Sequence, residues 1–252
     1  MKMRSRHGFR GAGLLACAGA MLASALPAWA QQNALREERG TFLSGGQKIG
    51  VEMFRPTQAE HLPAIVVLHG SRGIEFGNAY IRQLASLLAA NGFATFLVHY
   101  FDSTETDYAN DAAIHKNFKM WLETINDAVS FVAKQPDIDR DKIGCFGFSL
   151  GGYFALAQAA RDPRIQAVVE LAGGVDSSYV NQFQRMPPTL ILHGDDDHRV
   201  PVSNAYEIER LAKKFGAPYE MKIYNGESHF FSQTAILDSV VRGLGFFEKY
   251  LR

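Results

Sequence analysis

The hydrophobic positions of the chain follow two alternating patterns from about residue 35 onward. Short apolar, β-branched runs such as residues 62–70, LPAIVVLHG, are typical of strands buried on both faces. Residues 78–92, NAYIRQLASLLAANG, have apolar side chains at helical spacing and end in Asn-Gly, a helix C-cap signal. Residues 39–56 predict two strands joined at SGGQ, which is a hairpin signal.

The same alternation continues to the end of the chain. Further strands are predicted at 92–100, 142–148, 165–173, 189–194 and 219–225, and further helices at 119–135, 150–160, 203–216 and within 234–251. Residues 100–117 and 174–188 have no clear period and predict surface loops.

Strands that alternate with helices imply right-handed crossovers and a mostly parallel sheet with helices on both faces. The two opening strands must pair antiparallel because their connection is so short. We therefore predict an α/β fold with an eight-stranded sheet, formed by one domain over residues 31–252.

The N-terminal 30 residues differ in kind from the rest. Lys2, Arg4, Arg6 and Arg10 precede an apolar, small-residue run and the sequence AWA, the three-part pattern of a secretory signal peptide. The run is too short for a membrane-spanning helix. The Arg-Arg pair that marks the twin-arginine export route is absent from these residues. Residues 1–30 therefore predict general secretion, with cleavage after Ala30 and a periplasmic or secreted protein.

The two cysteines bear on this prediction. An alternative interpretation takes Leu14-Leu15-Ala16-Cys17 as a lipoprotein box, although the apolar run continues well beyond Cys17. Signal removal would leave Cys145 alone, so that no intramolecular disulfide could form. Cys145 lies within an apolar strand and is expected to be a buried, inert thiol.

Composition narrows the possible partners. The 252 residues include 26 Lys or Arg and 26 Asp or Glu, so the formal net charge is zero. This balance offers no support for nucleic-acid binding or for an anionic membrane surface. A small-molecule substrate is the partner we expect, whereas the sequence leaves the oligomeric state open.

One pentapeptide, Gly147-Phe148-Ser149-Leu150-Gly151, fits G-x-S-x-G between a predicted strand and a predicted helix. This context is the one in which the motif places a nucleophilic serine on a sharp turn. The glycines give the clearance that such a turn needs. The alternative is a helix-capping serine beside glycines required only for packing.

A nucleophilic serine needs a base. His69, His99 and His193 end predicted strands, and His229 follows the last one; all four would lie at the carboxyl edge of the sheet, where parallel sheets place their sites. In hydrolases with this turn, the acid and then the histidine follow the serine along the chain. His229 is the histidine with an acid on an earlier loop, so we assign it as the base.

The acid is expected on the loop after strand 189–194, where Asp195, Asp196 and Asp197 are consecutive. The alternation of oxygen ligands typical of a calcium loop is absent, so no metal is predicted. A buried carboxylate would fix the tautomer of the histidine. Spacing alone does not choose among the three.

An oxyanion needs two backbone N–H donors. Leu150 supplies one directly after the serine, and Ser71 in the loop His69-Gly70-Ser71-Arg72-Gly73 is the expected second. Arg72 is a candidate for holding a carboxylate on the substrate, and a solvent-facing arginine is the alternative.

From about residue 48 onward the chain resembles the dienelactone hydrolase family of α/β-hydrolases. The resemblance rests on GFSLGGYFALA, LILHGDDDHRVPV and IYNGESHFF, with VVLHGSRG and FLVHYFD upstream. It implies an α/β-hydrolase fold, and its H-G-x-x-D-x-x-V-P pattern implies Asp197 as the acid. The chain departs from dienelactone hydrolases proper in having Ser149 where they have cysteine, and in lacking their glutamate near the oxyanion loop.

Together these features predict a secreted serine hydrolase of small carboxylic esters or lactones that needs no cofactor. Loops 100–116 and 173–187 would shape the pocket, with Tyr100, Phe101 and Phe183 lining it, and no insertion is long enough for a large cap. The alternatives are a peptidase or polymer-directed esterase, or a catalytically silent hydrolase-like binding protein.

Overall fold

The computed structural model describes residues 34–57, 59–74 and 78–252. The predicted signal peptide and Cys17 lie outside these residues. The described strands form one sheet: β1 (Leu35–Ser44), β2 (Gln47–Pro56), β3 (Leu62–Leu68), β4 (Ala94–Val98), β5 (Ile138–Phe148), β6 (Ile165–Leu171), β7 (Thr189–Gly194) and β8 (Tyr219–Tyr224). Their spatial order is β1-β2-β4-β3-β5-β6-β7-β8. Strands β3 to β8 are parallel, and β2 is antiparallel to both neighbours, which confirms the predicted eight-stranded, mostly parallel sheet.

Helices cover both faces of the sheet. They are α1 (Asn78–Ala90), α2 (Asp111–Val132), α3 (Leu150–Ala159), α4 (Ser203–Phe215) and α5 (Gln233–Leu251), with 3-10 turns at Tyr100–Thr104 and Val180–Gln182. Helices α2, α3 and α4 share one apolar core with the sheet, and α1 and α5 share the other. None of the described helices is long and apolar enough to cross a membrane.

Strand β3 shows why the sequence reads as a continuous apolar run. Ala64, Val66 and Leu68 contribute to the core on one face, and Ile65 and Val67 to the core on the other. All five side chains are fully buried. Burying a Val, Leu or Ile side chain stabilises a fold by about 1.5–3 kcal/mol, which favours apolar residues along a central strand with both faces covered.

The hairpin predicted at SGGQ joins β1 and β2. Ser44 pairs with Gln47, and the two residues between them, Gly45 and Gly46, have φ values of +55° and +86°. A two-residue hairpin turn with positive φ at both positions strongly favours glycine. The pair of glycines therefore fixes the register of the first two strands.

Helix α2 begins eight residues before the predicted start at residue 119, so the prediction of a loop through residue 117 was wrong. The side chain of Asn110 accepts a hydrogen bond of 2.9 Å from the backbone N–H of Ala113, which caps the helix. Phe118 is buried in the core that α2 shares with the sheet. The exposed first turn hides the helical period because its apolar face begins only further along.

Candidate active site

Ser149 lies on a sharp turn between β5 and α3. Its backbone has φ 54° and ψ −120°, a strained conformation for a residue with a side chain. A Cβ on Gly147 would lie 2.1 Å from the carbonyl oxygen of Gly151, and a Cβ on Gly151 would lie 2.3 Å from that of Leu68. The two flanking glycines are therefore required by the close approach of the turn, the first helical turn and β3.

Three residues from different loops form a chain of hydrogen bonds. His229 Nε2 lies 3.0 Å from Ser149 Oγ, and His229 Nδ1 lies 2.7 Å from Asp197 Oδ2. All three side chains are at most 6% exposed. A serine, an imidazole and a buried carboxylate in this order can transfer the hydroxyl proton to the imidazole and stabilise the resulting imidazolium.

The acid loop after β7 gives Asp197 a fixed orientation. Its Oδ1 accepts hydrogen bonds of 2.8 Å from the backbone N–H groups of Arg199 and Val200, which leaves Oδ2 for His229. His193 also supports this loop, because its Nε2 lies 2.8 Å from the carbonyl oxygen of Val200. Burial lowers the pKa of His193. Because a carbonyl oxygen can only accept, Nε2–H of His193 donates to it.

The other two aspartates of the acid loop have different environments. Both are exposed. Asp195 Oδ1 accepts a 2.6 Å hydrogen bond from the backbone N–H of Gly226, which links the acid loop to the loop carrying His229. Asp196 Oδ1 lies 3.2 Å from Nε2 of His198, which is also exposed. The structure thus brings only Asp197 of the three to His229.

The predicted oxyanion donors lie beside Ser149. Leu150 is the first residue of α3, so its amide has no acceptor one turn earlier in the helix. Ser71 lines the cavity above Ser149. Among the described residues, neither amide donates to another group. Both N–H groups are therefore available to a developing oxyanion.

Two other histidines at strand ends take structural positions. His69 is 2% exposed and stacks on Tyr100, with ring centroids 4.1 Å apart. Burial lowers the pKa of His69 to about 3, so the ring is neutral. His99 Nε2 lies 3.0 Å from Oε1 of Glu52, on β2. Neither ring is hydrogen-bonded to Ser149 in the structure.

A cavity of about 280 Å³ opens over Ser149 and His229. Its wall is largely apolar and is formed by Ile81, Phe148, Leu171, Phe230, Phe231 and Ile236. Arg72 is exposed at this cavity, and its guanidinium carbon lies 5.0 Å from the ring centre of Phe230. No carboxylate of the described residues pairs with it, so its role in binding a substrate carboxylate stays a prediction.

Three predicted lining residues lie elsewhere, which corrects the expectation from the sequence. Tyr100 is fully buried in the core, where its hydroxyl donates a 2.7 Å hydrogen bond to the carbonyl oxygen of His69. Phe101 is 3% exposed and packs against Trp121. Phe183 packs against the core and lines neither of the two cavities described beside Ser149. Tyr100 and Phe101 belong to the core because Trp121 of α2 packs against both rings.

A second cavity, of about 360 Å³, lies on another side of Ser149. The two predicted pocket loops do contribute to it, through Asp111, Ile114 and Asp176. Arg199 and Ser71 line both cavities, and the Arg199 guanidinium donates a 3.3 Å hydrogen bond to Ser71 Oγ. The sequence predicted neither the division of the site into two cavities nor the position of Arg199, because the Arg199–Ser71 contact joins loops 128 residues apart.

Glu170 on β6 is a further residue that the sequence did not single out. It is fully buried, and its Oε2 accepts a 2.8 Å hydrogen bond from the backbone N–H of Gly173, whereas Oε1 has no partner. Burial raises the pKa of Glu170 to about 8. The sequence feature that could have indicated a buried carboxylate here is the single glutamate inside the apolar run AVVEL.

Comparisons with known proteins indicate the family of the chain. The family model "Dienelactone hydrolase family" matches residues 49–240. A Bradyrhizobium protein described as "Probable 2-oxo-3-(5-oxofuran-2-ylidene)propanoate lactonase" is 28% identical over 198 residues, which cover 71% of this chain and 77% of that protein. Mouse acyl-coenzyme A thioesterase 1 is 28% identical over 181 residues, covering 69% of this chain but only 40% of the thioesterase.

The fold is also that of solved relatives. A dienelactone hydrolase-like promiscuous phosphotriesterase from metagenomic libraries superposes with a TM-score of 0.75 at 18% identity, covering 87% of this chain and all of that one. At this identity the likeness concerns the fold alone. The match of the family model over most of the chain, together with the α/β-hydrolase sheet, places the protein in the dienelactone hydrolase family, a family of hydrolases.

Proposed function

We propose that this chain is a secreted serine hydrolase that cleaves small carboxylic esters or lactones through an acyl-enzyme. The observation that carries the proposal is the chain of hydrogen bonds from Ser149 through His229 to Asp197, buried at the base of a cavity of small-molecule size. Membership of a hydrolase family and the lactonase name of a relative support it.

In this mechanism Ser149 Oγ attacks the carbonyl carbon of the substrate, and His229 Nε2 takes the hydroxyl proton. The N–H groups of Leu150 and Ser71 hold the oxyanion of the tetrahedral intermediate. The intermediate collapses as His229 returns the proton to the leaving oxygen, which releases the alcohol and leaves Ser149 acylated. Water then attacks the acyl-enzyme with His229 as base, and the acid departs.

Secretion is part of the same proposal. The basic start, the apolar run and the AWA sequence before Gln31 support cleavage after Ala30 and a periplasmic or extracellular site of action. N-terminal sequencing of the exported protein checks this, since a mature chain beginning at Gln31 is expected. A chain that begins at a lipid-modified Cys17 would instead support the lipoprotein alternative.

Hydrolysis of short-chain p-nitrophenyl esters by the mature protein tests the catalytic proposal. Ser149→Ala should abolish turnover and labelling by a fluorophosphonate probe in a protein that still folds. Ser177→Ala is the matched control, because Ser177 is an exposed serine outside the cavity. Wild-type protein that neither turns over such esters nor reacts with the probe would contradict the proposal and favour a silent binding protein. Cleavage of peptides but not of esters would favour a peptidase.

A further inference from the structure

The two cavities beside Ser149 differ in chemistry. The first is walled mainly by aliphatic and aromatic side chains, among them Phe148, Phe230 and Ile236. The second contains hydrogen-bonding groups from Asp111, Tyr153 and Asp176 beside its apolar wall, and Arg199 lines both cavities. An ester that reacts at Ser149 has two substituents on its carbonyl carbon, and each must lie in one of these cavities.

The position of His229 decides which substituent goes where. His229 must protonate the leaving oxygen, so the alcohol part lies on the side of this imidazole. His229 lines the first cavity and not the second. Leu150, whose N–H faces the oxyanion in the proposed mechanism, lines the second cavity. The alcohol part therefore enters the apolar cavity, and the acyl chain extends into the polar one.

Two groups in the second, more polar cavity can make further hydrogen bonds. Arg199 uses one guanidinium N–H on Ser71, and no carboxylate of the described residues pairs with it. Tyr153 lines the second cavity and not the first, and its hydroxyl makes one long hydrogen bond of 3.4 Å to Asn204. Burial raises the pKa of Tyr153 to about 12, so the hydroxyl remains a donor at neutral pH. An alkyl acyl chain would cover these groups without bonding them, which costs free energy.

On this basis we propose that the preferred substrates are esters of an apolar alcohol with a short, hydroxylated acid. A hydroxyl on the acyl chain both donates and accepts, so it suits a cavity that holds a guanidinium, carboxylates and a phenol. The apolar alcohol chain gains by leaving water for the first cavity. This inference rests on the proposed serine hydrolase function and adds the substrate class.

Two isomeric esters test the assignment directly. Hexyl glycolate has the apolar alcohol and the hydroxylated acid, whereas 2-hydroxyethyl hexanoate has the same formula with the polarity reversed. Release of acid by the mature protein is followed in a pH-stat, and kcat/KM is divided by the rate constant of alkaline hydrolysis to remove intrinsic reactivity. We expect hexyl glycolate to be preferred by at least about tenfold. A normalised ratio of one or below overturns the assignment.

Variants then test each cavity separately. Phe230→Ala should reduce the preference for hexyl over methyl glycolate by about three- to tenfold, while Leu237→Ala, an exposed residue of α5, should not change it. Tyr153→Phe should reduce the preference for hexyl glycolate over hexyl acetate by a similar factor. Tyr206→Phe, an exposed tyrosine of α4, is its control. The reverse pattern, in which Phe230→Ala alters only acyl preference, would contradict the assignment.

Failure of the substrate class can be told apart from failure of the proposed function. If Ser149→Ala still hydrolyses the esters, or if wild type cleaves neither these isomers nor p-nitrophenyl esters, the serine hydrolase proposal fails. If wild type cleaves p-nitrophenyl esters but neither isomer, the substrate class fails. If both esters are cleaved through Ser149 and the hexanoate is preferred, only the assignment of the two cavities fails.

Discussion

Replacing Asp197 by asparagine provides a sharp test of the proposed catalytic chain. In the native structure Oδ1 of Asp197 accepts from two backbone N–H groups, and Oδ2 accepts from His229 Nδ1. The asparagine oxygen must take the Oδ1 position, because an amide NH₂ there would face two donors. The NH₂ group therefore faces Nδ1, which must then accept and cannot carry the proton.

The consequence is a change of tautomer in His229. With the proton on Nε2, the imidazole donates to Ser149 and can no longer take its hydroxyl proton. Such a tautomer change costs a factor of about 10⁴ in kcat in the serine proteases, equivalent to about 5 kcal/mol of transition-state stabilisation. Little of this loss should come from unfolding, because asparagine keeps the volume of the side chain and both backbone hydrogen bonds.

The assay is pre-steady-state and steady-state turnover of p-nitrophenyl acetate, with thermal unfolding by circular dichroism as a check on the fold. Asp195→Asn and Asp196→Asn are the controls, since both side chains are exposed and neither contacts His229. Each control should retain activity within about tenfold of wild type. Equal and modest losses in all three variants would refute the assignment of Asp197 and the tautomer argument with it.

Three further changes test the fold around the site. Burial raises the pKa of Glu170 to about 8, whereas a glutamate in the unfolded chain has a pKa near 4.3. The folded state therefore binds the proton more tightly, and the free energy of unfolding should fall as pH rises between these two values. Glu170→Gln should remove this pH dependence, which amounts to at most about 1.4 kcal/mol per pH unit and is measured by urea unfolding at several pH values. The same pH dependence in wild type and variant would contradict the prediction. Gly147→Ala should destabilise the protein by about 3 kcal/mol, because its Cβ would lie 2.1 Å from a backbone oxygen. Gly245→Ala, with open space around the new methyl group, should be neutral or stabilising; equal thermal shifts would refute the steric argument. Tyr100→Phe should cost about 1–3 kcal/mol by leaving a buried carbonyl oxygen unpaired, whereas exposed Tyr108→Phe should cost little; denaturant midpoints compare them, and equal midpoints would contradict the prediction.

Structural elements that depend on residues close together in the chain could be predicted from the sequence. The hairpin at Gly45 and Gly46 depends on backbone conformations that glycine adopts without strain, and β3 is marked by an apolar run between two covered faces. The turn at Ser149 is likewise local, because its flanking glycines are spaced for the close approach of neighbouring backbone. Helix α2 shows the limit, since its first turns are exposed and lack the apolar period.

Roles that depend on long-range contact were open in the sequence. The three adjacent aspartates are equivalent in composition, and spacing alone could not distinguish them; the family pattern selected Asp197, which the fold brings to His229. Similarly, His69, His99 and His193 end strands as expected, yet the groups packed around each ring give it a structural position.

The sequence by itself determined the order of strands and helices, the sharp turn at Ser149 and the family, because these depend on periodicity, glycine spacing and short motifs. Only the tertiary structure decided that Tyr100 and Phe101 belong to the core and that two cavities of different polarity meet at Ser149. The walls of those cavities come from segments far apart in the chain, such as the loop of Ser71 and that of Arg199. Their chemistry follows from which loops the packed sheet brings together, and no local pattern encodes it.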